Sequence, residues 1–203
     1  MTDYQRFVKR LFDISLSLIG LFSIAWVVII VFLVASIDTK NNGLFLQKRV
    51  GRSGNFFKIL KIRTMRSRKD LKTTVTISGD SRITVSGAFF RKWKIDELPQ
   101  LVNILLGQMS FVGPRPDVPG YADRLQGEDR IILSIRPGIT GPAQLAYKNE
   151  EEILANQDNA VKYNDEIIWP DKVRINREYI EDYSLFRDFY YIWKTIVGGN
   201  DKH

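Results

Sequence analysis

The stretch Asp96-Glu97-Leu98-Pro99-Gln100-Leu101 organises the reading of this chain. From it onward Leu98, Leu101, Val102 and Leu105 recur at three- and four-residue steps, which is the signature of an amphipathic helix. Pro99 fits only the first turn of such a helix, where its missing N–H has no intrahelical role. The spacing therefore predicts a helix start with Asp96 at about the N-cap and Glu97 just inside. Unpaired N–H groups and partial positive charge at a helix start suit a carboxylate, so both acids can simply cap. An ionised Asp beside a phosphate can also ligate a hard divalent cation or attack phosphorus. The neighbouring sequence decides between these roles.

Downstream, Gly113-Pro114-Arg115-Pro116 and Arg136-Pro137-Gly138 each set an Arg immediately before a proline. That disfavours the helical region for the Arg and presets an extended direction. Pro137-Gly138 also fits the centre of a type II turn. A preset guanidinium loses less entropy when it forks onto a phosphate. Either pair alone is ordinary turn chemistry. Together with Asp96-Glu97 they predict a diphosphate clamp at a phosphoryl-transfer site. The sequence holds no Walker loop, no GxGxxG and no paired-His metal motif.

Upstream, Tyr4, Phe7, Val8, Leu11 and Phe12 share one helical face with Arg6, Lys9 and Arg10 around it, an interfacial lead-in. From Ile14 to Ile37 the chain runs 24 residues without a charge. As a helix that is about 36 Å, enough to cross the hydrocarbon of a bilayer. Basic residues flank both sides, so the positive-inside rule selects no orientation. Two alternatives stand: a single tilted span, or a re-entrant hairpin broken at Gly20 or at the serines 15, 17 and 23. Between Lys48 and Lys72 lie ten basic residues against one acid, a density that suits anionic lipid. Phe56 to Arg63 reads as a hairpin arm after a Gly51–Gly54 turn, with Lys61 and Arg63 on one face. Ser67 to Gly87 reads as a loop, either closing over substrate or plain surface chain, and Ala88 to Trp93 brings Arg91 toward Asp96.

Composition narrows the chemistry. With 203 residues the chain is one globular unit plus appendages. It has no Cys, and its one His is His203, so carboxylates, Lys and Arg are left for catalysis. A net charge of +7 favours anionic partners. In the last third, Trp169-Pro170-Asp171 opens one helix and Ser184 another, the second ended by Gly198-Gly199. The second helix carries Phe186, Phe189, Tyr190, Trp193 and Ile196, a face read as core packing in preference to contact with lipid headgroups.

With these residues in view the chain resembles the bacterial sugar transferases, the small monotopic polyprenyl-phosphate phosphoglycosyl transferases. The likeness runs through Lys9-Arg10-Leu11-Phe12-Asp13, Gln47 to Gly51, Phe57 to Met65, Arg91, Asp96 to Leu101, Asn103, Gly107 to Pro116 and Arg136 to Gly141. It implies transfer of a sugar phosphate from a UDP-sugar to a polyprenyl (undecaprenyl) phosphate with release of UMP, through a covalent aspartyl phosphosugar. It implies Asp96 as nucleophile and Mg²⁺ ligand, Glu97 as partner carboxylate, and Lys61, Arg91, Arg115 and Arg136 around the phosphates and nucleotide; Arg63, on the same strand face as Lys61, is expected to bind substrate with it. The expected fold is predominantly helical α+β: a re-entrant or spanning membrane helix over 1–38, then a compact catalytic domain with a small sheet over 39–203. That domain is expected on the cytoplasmic face of the bacterial inner membrane, against inner-leaflet lipids, with no nucleic acid and with a homodimer left open. The membrane helix departs from the family, having Ala25-Trp26 where a Ser-Pro break is usual. Pro142 to Tyr147 also departs, in a region bearing on sugar choice. The rival reading is a non-enzymatic membrane anchor whose basic patch binds anionic lipid or nucleic acid.

Overall fold

A computed structural model describes residues 1–66 and 80–198. The chain is mostly helical with two small sheets and one long apolar helix at its N-terminal end. That helix, α1 (Asp3–Thr39), is opened by a capping box in which Thr2 and Gln5 exchange side-chain and backbone hydrogen bonds, and Lys40 closes it in the left-handed conformation. The lead-in and the uncharged run are one helix of 37 residues, about 55 Å long. It is long and apolar enough to cross a membrane.

No break interrupts α1 at Gly20 or the serines. Gly20 serves close packing instead: a Cβ there would stand 3.0 Å from Leu101 Cδ1. Ser17, Ser23 and Ser36 each return their hydroxyl to the carbonyl four residues back, which satisfies them within the helix.

Both ends of α1 are held by the same domain. Near its start Gln5 donates to the Tyr183 carbonyl and Lys9 pairs with Asp188. Near its finish Asp38 accepts from the Ser86 hydroxyl and pairs with Arg66. Between these ties a narrow inward face (Asp13, Ser17, Val31, Ala35) is buried. The outward face, from Phe7 through Phe22 and Trp26 to Ile37, is exposed, Phe22 at 92%.

The hairpin is as expected: β1 (Leu44–Val50) pairs antiparallel with β2 (Phe56–Ile62), Phe45 opposite Lys61. Asn103, on the short helix α3 (Gln100–Leu105), accepts from Leu60 N–H and donates to the Lys58 carbonyl, so it stands in for a third strand along β2. Between them comes α2 (Val85–Lys92), capped by the Thr84 hydroxyl. Of the loop expected from Ser67 to Gly87, residues 67–79 lie outside the described residues, and Val85 to Gly87 already belong to α2. The second sheet joins β3 (Ser110–Val112) to β4 (Gly138–Thr140) in parallel. Gly138 therefore starts a strand rather than sitting at the centre of a type II turn, whose left-handed φ it lacks.

Short helices α4 (Pro142–Ala146), α5 (Glu150–Ala155) and α6 (Ala160–Tyr163) lead to α7 (Trp169–Glu181) and α8 (Leu185–Val197). The largest core cluster gathers Val50, Val112, Ile132, Val173, Tyr179 and Ile180 between the sheets and α7. The expectation that α8 spends its aromatic face on the core is corrected here. Phe186 is 85% exposed, Trp193 57% and Ile196 74%. Where α8 meets α1, Phe12 packs edge-on against Phe189 at 5.0 Å, so the outward faces of the two helices adjoin.

Candidate active site

Four short pieces of chain converge on the acid pair. After α2, Lys94 takes the left-handed conformation (φ 56°), rare for a residue with a side chain, and turns the chain into a 3-10 turn, Ile95–Glu97. Asp96 and Glu97 lie inside this turn, and α3 begins only at Gln100, with Pro99 as its helical N-cap. The N-cap position expected for Asp96 is thus corrected. Instead of capping a helix, the carboxylate is set back under the surface, 7% exposed.

Glu97 Oε1 accepts from Lys61 Nζ at 3.1 Å and from Arg115 Nη2 at 3.2 Å. Lys61 comes from β2, and Arg115 from the Pro114–Pro116 stretch just beyond β3. Burial works against ionising Glu97. The charges of Arg115, Lys61 and Lys94 outweigh it and hold the carboxyl down at about 2. Glu97 is thus a fixed anion that positions two cations. Asp96 behaves in the opposite way. Burial first, and the Glu97 charge second, push its pKa up, against the pull of Lys61, Lys94 and Arg91. Its Oδ1 is buried with no hydrogen-bond partner among the described residues.

Of the residues predicted for the site, the structure therefore brings together Asp96, Glu97, Lys61 and Arg115, with Arg91 close enough for its charge to act on Asp96. Arg63 is used elsewhere: its Nε donates to the Asn42 carbonyl at 2.7 Å and its guanidinium lies over the Phe45 ring. Arg136 donates to the Gly107 carbonyl at 2.8 Å, while Arg10 caps the carbonyls of Ile104 and Leu105 at the end of α3. Burial and the charges of Arg10 and Arg52 lower the Arg136 pKa. The two Arg-Pro arginines thus stand in different surroundings. Sequence reasoning gave no role to Lys94, whose charge bears on both carboxylates. It also missed Asp117, which burial pushes up to about 7 despite Lys172, Arg49 and Arg115.

The donor set at Asp96 fits the divalent cation that the resemblance implies. A buried carboxylate oxygen without a partner is a hard ligand in want of a cation. Magnesium commonly takes one or two carboxylates and completes its shell with phosphate and water. Among the described residues no group of three acidic or His side chains could hold a metal by itself.

Because the Glu97 pKa is depressed, its ion pairs stabilise the fold above the ordinary glutamate range and stop doing so as pH falls toward about 2. A Glu97→Gln variant is expected to be about 3 kcal/mol less stable than the parent at pH 6 and nearly equal to it at pH 2. Thermal unfolding across that range measures the gap, and a constant gap would show that Glu97 is not held ionised by Lys61 and Arg115.

Residues 4–200 match the family described as bacterial sugar transferase. Among curated relatives, the exopolysaccharide production protein ExoY of Sinorhizobium fredii is 29% identical over 93% of this chain and 83% of its own length. The galactosyl transferase CpsE of Streptococcus agalactiae is 36% identical over 93% of the chain. The UDP-glucose:undecaprenyl-phosphate glucose-1-phosphate transferase of Escherichia coli is 30% identical over 98% of the chain. In each of the last two, the matched part is 41% of the relative's length.

Proposed function

The chain belongs to the bacterial sugar transferase family, and from that premise we propose that it moves a sugar phosphate from a UDP-sugar onto a polyprenyl phosphate, releasing UMP. One observation carries this reading. Glu97 holds Lys61 and Arg115 in place, while its neighbour Asp96 keeps a buried carboxylate oxygen free. The rival reading of a non-enzymatic basic anchor has no use for such an acid pair.

In the proposed reaction an oxygen of ionised Asp96 attacks the phosphorus that carries the sugar. The bond from that phosphorus to the bridging oxygen breaks, and UMP leaves with the electron pair. Lys61, Arg115 and Arg91 meet the charge that moves onto the phosphates. An oxygen of the polyprenyl phosphate then attacks the same phosphorus and Asp96 departs as carboxylate. Splitting the transfer lets the soluble donor product leave before the lipid acceptor arrives. A bound Mg²⁺, held by Asp96 and phosphate oxygens, would neutralise phosphate charge during both displacements.

The membrane helix supports the same reading. With both ends of α1 tied to one domain, its termini belong on one side of the bilayer. The outward apolar faces of α1 and α8 then meet lipid. The proposed donor is a soluble nucleotide sugar, so the domain is read as facing the cytoplasm. The sugar itself is not chosen by likeness, since relatives of comparable identity carry names with different sugars.

The test uses the full chain in detergent with Mg²⁺, undecaprenyl phosphate and, in turn, UDP-glucose, UDP-galactose and UDP-N-acetylgalactosamine. One donor is expected to give continuous UMP release with acceptor, and about one equivalent of UMP without it. No UMP from a wide panel of UDP-sugars would remove the reading.

A further inference from the structure

Along α2 and its cap, Val85, Phe89 and Trp93 follow one another a helical turn apart, and all three are exposed. Phe89 and Trp93 lie in ring contact at 6.4 Å. On its other side α2 packs through Phe90 against Val31 and Ala35 of α1. The apolar row therefore runs beside the half of α1 whose outward face carries Ile29, Leu33 and Ile37. The row ends at Trp93, and the next residue is Lys94.

Lys94 stands where this exposed apolar row meets the acid pair. Its left-handed backbone turns the chain from the exposed helix into the buried turn of Asp96 and Glu97. A residue with a side chain is strained in that conformation, and such strain gathers at functional positions. The side chain is exposed, and its charge acts on both carboxylates. Lys61 and Arg115 are already committed to Glu97 Oε1. The Lys94 ammonium makes no hydrogen bond or ion pair among the described residues, where only the backbone is bonded, to Arg91 and Glu97, so its three donors are open to an anion that approaches from the apolar side.

We propose that Lys94 binds the phosphate of the lipid acceptor, at the mouth where the Phe89–Trp93 row delivers that lipid to Asp96. This rests on the transfer reading above and adds which substrate the residue serves. The acceptor joins an apolar tail to a phosphate monoester. The row suits the tail, and a flexible ammonium suits a phosphate that must advance to the reaction centre after it is caught. The donor phosphates, in contrast, fall to the cations fixed on Glu97.

The test compares the parent full chain with Lys94→Gly, which removes the ammonium and eases the left-handed backbone, and with Lys94→Arg. The Gly variant is expected to raise the KM for undecaprenyl phosphate about tenfold, one charged contact's worth, and to leave the KM for the UDP-sugar within about twofold. The Arg variant should restore most of the loss. Equal effects on both KM values, or none, would overturn the assignment. A second measurement needs no turnover: equilibrium binding of undecaprenyl phosphate to the detergent-solubilised chain, with phosphatidylglycerol as competitor. A tenfold weaker affinity in Lys94→Gly, with little competition, supports the site. Unchanged affinity, or equal displacement by phosphatidylglycerol, sinks it. If the parent binds the lipid but releases no UMP from any donor, the transfer reading fails while the binding result still decides Lys94.

Discussion

Asp96→Asn is expected to lower UMP release by about 10⁴-fold or more, the scale on which loss of a nucleophile acts, with folding unimpaired. The two halves of this expectation come from the same surroundings. Asn matches the carboxylate in shape but has no anionic oxygen to bond phosphorus. The fold does not need the charge: burial and the Glu97 anion already disfavour the ionised form, and Oδ1 gives up no hydrogen bond when it changes. Thermal unfolding of the variant should match or exceed the parent's at neutral pH. The raised pKa also sets the direction of a pH profile. The rate of the first displacement should climb with pH as Asp96 loses its proton, later than an ordinary aspartate would. A variant that keeps a tenth of the parent rate would remove Asp96 as nucleophile, since a merely supporting carboxylate could be replaced at that cost.

The largest stability effect is expected where α1, α7 and α8 meet. Asp188, wholly buried on α8, accepts from Lys9 of α1 at 2.5 Å, from the Tyr179 hydroxyl of α7 at 2.6 Å and from the Tyr183 hydroxyl at 3.2 Å. One carboxylate thus joins three helices. Asp188→Ala leaves a buried ammonium and two buried hydroxyls without their partner, which costs about 3–5 kcal/mol. For a chain of this size that is roughly a 10 °C drop in Tm. The double replacement Lys9→Met with Asp188→Leu removes both charges and should recover much of the loss, because desolvating the pair was itself costly. Single and double variants with additive losses would show that the pair is not coupled.

Much of this was readable from local sequence because local chemistry dominates there. A charge-free run of 24 residues leaves α1 little choice, Gly51 and Gly54 place the β1–β2 turn, and Ser184 with Gly198 bounds α8. The parts that were not readable depend on tertiary surroundings. Arg115 and Arg136 sit in near-identical Arg-Pro settings, yet one reaches Glu97 in the Ile95–Glu97 turn and the other the Gly107 carbonyl between α3 and β3. Pro99 is compatible with a helix cap as well as a first turn, so the expected start at Asp96 was several residues too early. A left-handed lysine has no sequence signal, since the residues that favour that conformation are Gly and Asn. The wide aromatic face of α8 suits a protein core and a bilayer equally; only its position beside the outward face of α1 separates them.

On the proposed function, the outward rows of α1, α2 and α8 would also change what counts as concentration for the reaction. A protein resting on lipid through these side chains explores a surface rather than a volume, and so does its hydrophobic co-substrate. Encounters between them then depend on how many carrier molecules share each patch of membrane, and adding more lipid at a fixed carrier amount dilutes the reaction even when the molarity in the tube is unchanged.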